Sequence, residues 1–80
     1  MSDSVELTLY SREGCGLCDE MLDELHQRYG NRIQVRVVDI SQDTALVARY
    51  STRIPVLVHA GEELCFGRLN PDRIAPLLER

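Results

Sequence analysis

The sequence is short of positive charge: nine basic residues stand against thirteen acidic ones, and the net charge is −4. That balance argues against nonspecific binding to nucleic acid or to an anionic membrane, both of which need a basic surface. No apolar run approaches the length that spans a bilayer. The first residues, Met1-Ser2-Asp3-Ser4, lack the basic-then-apolar pattern of a secretory signal, so a cytoplasmic location is the default expectation. Cysteine is scarce and odd in number, at three residues, which fits poorly with a secreted disulfide scaffold. Internal repeats and linkers are absent too. With 44% of residues apolar, little sequence is left for a polar low-complexity tail. Eighty residues then make one domain, 1–80, because a second could not bury a core of its own.

What is present is organised around Cys15-Gly16-Leu17-Cys18. The run Val5-Glu6-Leu7-Thr8-Leu9-Tyr10 alternates apolar and polar residues, as a strand with a buried face does. Ser11 to Gly14 form a turn that carries the thiols. From Cys18, the residues Met21, Leu22, Leu25 and Tyr29 recur at the three-and-four spacing of one helical face, and Gly30-Asn31 is a helix stop. Strand, turn, Cys-x-x-Cys and helix is the setting in which two thiols do redox chemistry. A helix start offers unpaired N–H groups and the positive end of its dipole, and both favour a thiolate. Cys15 is therefore expected to be the nucleophile and Cys18, one turn inside, the resolving thiol.

The remaining elements follow in order. Ile33 to Ile40 reads as a second strand, and Ser41-Gln42-Asp43 can cap a helix whose apolar residues are Leu46, Val47 and Tyr50. A helix between two strands, with no tight hairpin, implies parallel pairing through a right-handed crossover. Ile54-Pro55 leads into Val56-Leu57-Val58-His59. The short Ala60-Gly61 returns Glu63 to Phe66 as an antiparallel partner. Asn70-Pro71 opens a last helix with Ile74, Leu77 and Leu78 on its buried stripe, and Pro76 is expected to kink it or tighten its final turn. The order is β-α-β-α-β-β-α. A four-stranded mixed sheet with helices on both faces is the economical arrangement for it, which is the minimal thioredoxin fold in the α/β class.

With these residues in view, the chain resembles the glutaredoxin-like family within the thioredoxin-fold group, and most nearly its small bacterial members. The matching pieces are Leu7-Thr8-Leu9-Tyr10, Arg12-Glu13-Gly14-Cys15-Gly16-Leu17-Cys18, Val38-Asp39-Ile40, Arg53-Ile54-Pro55-Val56 and Gly67-Arg68. The resemblance implies a basic residue three before the first cysteine, which is Arg12. It also implies a cis proline facing the active thiol, which is Pro55 after Arg53 and Ile54. A glycine-rich step near the last helix, represented by Gly67 and Arg68, completes the substrate or glutathione site that the family carries. Two departures stand out: Gly-Leu replaces the common Pro-Tyr between the cysteines, and only one glycine of the usual pair remains. A cis Ile54–Pro55 bond is expected to expose the Ile54 backbone, which could take an extended peptide as an added strand.

The function expected is thiol–disulfide exchange, reducing protein or glutathione-mixed disulfides with no bound cofactor. Glutathione or a thioredoxin-reductase-like flavoenzyme would supply electrons, and the protein would act as a monomer. Arg12 and the helix start favour the Cys15 thiolate, while Glu13, Asp19 and Glu20 oppose it. A potential of about −270 to −200 mV, between thioredoxins and glutaredoxins, is the expectation. Two other readings remain open. One is a binding module that keeps the fold without the chemistry. The other is a zinc protein drawing on Cys15, Cys18, Cys65 and His59, although the last two lack the close-spaced pairing of usual zinc ligands. Cys65 reads as a small buried residue of a strand, and His26 and His59 as ordinary helix and strand positions.

Overall fold

The computed structural model describes residues 4–79. The signal-pattern reading of Met1-Ser2-Asp3 therefore lies outside the described residues. The elements are β1 (Val5–Ser11), α1 (Gly16–Tyr29), β2 (Ile33–Asp39), α2 (Thr44–Tyr50), β3 (Val56–His59), β4 (Glu62–Phe66) and α3 (Pro71–Leu78). Short 3₁₀ turns at Gly30–Arg32 and Ile40–Gln42 flank β2. The four strands form one sheet in the order β2-β1-β3-β4, with β1 and β2 parallel and the other neighbours antiparallel. This is the mixed sheet that the order of elements predicts.

Alternation along the strands divides the core in two. Leu7 and Leu9 of β1, Ile33 of β2 and Leu57 of β3 pack with Met21 and Leu25 of α1 and Ile74 of α3. Val56 and Val58, the residues on either side of Leu57, pack instead with Tyr50 of α2, joined by Tyr10 and Leu46. Adjacent strand residues point to opposite faces, so α1 and α3 cover one face and α2 the other. Val47, an apolar residue of α2, stays exposed. Seven residues make barely two turns, and Leu46 and Tyr50 already fill the face turned to the sheet.

Turns and caps explain where the elements stop. Asp43 accepts the N–H groups of Ala45 (2.9 Å) and Leu46 (3.3 Å), which fixes the start of α2. Ala60 and Gly61 join β3 to β4 in two residues, with φ of 50° and 84°. Positive φ at both positions is what a type I′ hairpin turn requires. The ladder then shifts by one between Leu57 and Val58, so that Leu64 is an extra residue of β4. Such a bulge lets Leu64 and Cys65 both reach the same side of the core. Asn70 caps α3 through the Asp72 N–H (3.1 Å), and the helix runs over Pro76 before ending at Leu78.

Candidate active site

The sheet register brings three loops to one end. Tyr10, near the end of β1, pairs with Val56 at the start of β3, and Val56 pairs in turn with Phe66 at the end of β4. The chain after β1, the chain before β3 and the chain after β4 therefore emerge together. They carry Arg12 to Cys15, Arg53 to Pro55, and Gly67 with Arg68. The Gly67 N–H donates to the Pro55 carbonyl at 2.8 Å and ties two of these loops to each other. Gly67 has φ of 77°, a conformation that side chains rarely adopt.

Cys15 is the N-cap of α1. Its backbone is extended, with φ −91° and ψ 103°, and its Sγ accepts the N–H of Cys18 at 3.3 Å. This is the place usually held by Ser, Thr, Asp or Asn, whose side-chain oxygens accept an N–H of the first turn. A sulfur there receives the same bond, and the bond strengthens when the sulfur carries charge. Cys15 and Cys18 are joined as a disulfide, with Cα atoms 5.3 Å apart. Cys15 is half-buried, while Cys18 is only 3% exposed and lies behind it. One sulfur is accessible and the other is shielded within a turn of it.

The other expected site residues have the following surroundings. Arg12 is exposed on the loop between β1 and α1, and its carbonyl accepts the Cys15 N–H at 3.3 Å. Neither Arg12 nor Arg68 has an ion-pair partner among the described residues. Arg53 is different. Its guanidinium meets the Glu63 carboxylate at 2.8 Å and lies 4.5 Å from the centre of the Phe66 ring. The Ile54–Pro55 bond is cis. The Ile54 N–H donates to the Tyr50 carbonyl at 3.1 Å. Tyr50 ends α2, and its carbonyl also accepts the Arg53 N–H at 2.8 Å. Both N–H groups thus close a helix end, where carbonyls have no partners of their own.

Phe66 and Leu17 escaped the sequence reading. Both are large apolar side chains left exposed, at 55% and 51%, Phe66 at the end of β4 and Leu17 in the first turn of α1. For Leu17 the signal was present in its position between the two cysteines. Phe66 looks like any strand residue until the sheet register places it opposite Val56.

Cys65 lies on β4, but it is only half-buried and packs at the margin of the core. Burial pushes its thiol pKa up, against smaller opposing pulls from the Asn70 N–H and the Arg73 charge. A thiol whose pKa is higher folded than unfolded supports the fold fully below the unfolded value. That support disappears as pH rises through the folded value. The urea midpoint of the wild type should therefore fall further than that of Cys65→Ala between pH 7 and pH 10. Equal falls would show that Cys65 contributes nothing to alkaline destabilisation. Among the described residues, no group of three or more His, Cys, Asp and Glu side chains is placed to hold a metal ion, so Cys15, Cys18, Cys65 and His59 do not form one. Nor is any helix among them long and apolar enough to cross a membrane.

Comparison with known proteins agrees with this geometry. The model of the Glutaredoxin-like domain (DUF836) family matches residues 6–79. The solution structure of protein Ne2328 from Nitrosomonas europaea is 32% identical, with a TM-score of 0.77 over 95% of this chain and 93% of that one. The X-ray structure of protein XcR50 from X. campestris is 37% identical, with a TM-score of 0.72 over 91% and 95% of the two chains. A buckwheat glutaredoxin in complex with glutathione shares the fold at 17% identity and a TM-score of 0.62, over 96% and 79%. With a thioredoxin-type sheet, a cysteine pair at the start of α1 and a family match over nearly its whole length, this chain belongs to the glutaredoxin-like domain family.

Proposed function

We propose that the protein is a thiol–disulfide oxidoreductase that reduces disulfides through Cys15 and Cys18. The observation that carries this reading is the position of Cys15, an accessible sulfur capping α1 and bonded to a shielded partner one turn away. In the reduced form the Cys15 thiolate attacks one sulfur of a substrate disulfide. A Cys15–substrate disulfide forms, and the other substrate sulfur leaves as a thiolate that takes a proton from solvent. Cys18 then loses its proton and attacks Cys15 Sγ. That step forms the Cys15–Cys18 bond and releases the second substrate thiol. Two electrons pass from the dithiol to the substrate.

Two thiols of glutathione, or a thioredoxin-reductase-like flavoenzyme, would return the electrons. The chemistry needs no metal and no bound cofactor, and one chain carries both sulfurs. It suits a reducing compartment such as the cytoplasm, where the dithiol form is regenerated. The test is turnover of a small uncharged disulfide, hydroxyethyl disulfide, with dithiothreitol as electron donor. Wild type should accelerate the reaction over the uncatalysed exchange, and Cys15→Ser should not. Equal rates with and without wild-type protein would end this reading.

A further inference from the structure

We infer that this site, if it works as proposed above, takes disulfides carried on extended polypeptide segments with apolar and basic side chains, and discriminates against glutathione. A groove runs along α1, the helix that Cys15 caps. Leu17, Glu20, Met21 and Glu24 form one wall along α1, and Gly67 and Arg68 form the other, on the loop after β4. Residues 17, 20, 21 and 24 fall at the three-and-four spacing of a single helical face. The groove therefore starts at Leu17, which lies between the two cysteines in sequence, and runs down α1 past buried Met21.

Charge along this groove suits a polypeptide better than a tripeptide with free ends. Glutathione brings two carboxylates and one ammonium group. Of the three arginines that the family resemblance offers for those carboxylates, Arg53 is already neutralised by Glu63 and stacked on Phe66. Arg12 stands on the loop before Cys15, next to Glu13 in the chain. Only Arg68 faces the groove, and Glu20 and Glu24 oppose it across the gap. Glu24 has Arg28 at 2.8 Å, while Glu20 has no ion-pair partner among the described residues. A second carboxylate would meet like charge. A segment of a longer chain has no terminal carboxylates to place there, and a Lys or Arg on it would find Glu20.

Two further observations point to the same occupant. The Ile54 N–H is donated to Tyr50, so one backbone donor that could hold any peptide is spent. Side-chain contacts must then provide more of the affinity. Leu17 supplies exposed apolar area on the groove wall, and Phe66 supplies more outside the groove, at the end of β4. Burying such side chains against an apolar residue of the partner is the strongest contact on offer.

The experiment compares kcat/KM on three disulfides with dithiothreitol as donor. The first is a peptide disulfide flanked by Leu and Lys. The second is the same peptide with Glu in place of Lys, and the third is oxidised glutathione. Wild type should favour the Lys peptide over both others by roughly three- to tenfold, the range for one or two partly exposed charge contacts. The Lys-to-Glu ratio should shrink in high salt, and it should move towards one in the double variant Glu20→Gln, Glu24→Gln. Oxidised glutathione or the Glu peptide reduced as fast as the Lys peptide would overturn the inference while leaving the enzyme reading intact. So would a ratio that the double variant does not change. Failure to reduce any disulfide, hydroxyethyl disulfide included, would instead strike at the enzyme reading itself.

Discussion

Cys18→Ser should stall the protein halfway through its reaction, and Cys15→Ser should stop it before it begins. The two cysteines occupy different environments, which is why the outcomes should differ. Cys15 is half-buried at the helix start, where its sulfur receives the Cys18 N–H. Serine at position 15 can keep that hydrogen bond, because its oxygen is a good cap. The fold should survive, while the nucleophile is lost. Turnover should then drop to below about one thousandth of wild type. Cys18 is 3% exposed and cannot be approached from outside. With serine there, Cys15 should still attack, and the mixed disulfide should have no internal partner to resolve it. Mass spectrometry after incubation with a disulfide substrate should show one adduct per chain, on Cys15. Absence of adduct, or an adduct confined to Cys65, would refute the division of labour.

A core substitution should produce the largest change in stability. Leu57 lies at the middle of β3, between β1 and β4, and is completely buried among Leu7, Leu9, Leu25 and Ile74. Leu57→Ala removes contacts from both neighbouring strands and both helices on that face. The cost should be about 2–5 kcal/mol, set by how far the surroundings relax. A domain of this size has roughly 4–12 kcal/mol in all, so a large share of its stability rests on this side chain. At a urea slope near 1 kcal/mol per molar, the midpoint should fall by about 2–5 M with the slope unchanged. Val37→Ala, at an edge-strand position with its side chain half in solvent, should change stability by about 0.5 kcal/mol or less. A similar loss from both variants would contradict the two-faced core described above.

Much of this architecture can be read from local patterns. Alternation in Val5 to Tyr10, the helical face from Cys18 to Tyr29, the Asn70-Pro71 start and the two-residue Ala60-Gly61 turn each declare an element within a few residues. Their order leaves few ways to assemble a sheet. The position of Cys15 was legible for the same reason, since strand, glycine turn and helix follow one another directly. What stayed hidden depends on residues far apart in the chain. The Arg53–Glu63 ion pair spans ten residues and exists only because β3 and β4 lie side by side. Arg53 therefore read as a free cation near the thiols. The bulge at Leu64 leaves no mark in Glu-Leu-Cys-Phe, which alternates acceptably in either register. The engagement of the Ile54 N–H follows from how α2 satisfies its last carbonyls, a geometric need that composition does not express.

Reversible cycling of the Cys15–Cys18 bond tests the central claim most directly. The protein would be equilibrated in buffers of graded thiol–disulfide ratio, quenched and alkylated, and the fraction of bonded Cys15–Cys18 measured by mass. A single two-electron transition centred at about −270 to −200 mV is the expected result. A pair that stays closed at every ratio, or stays open at every ratio, would contradict a dithiol that exchanges electrons with biological disulfides.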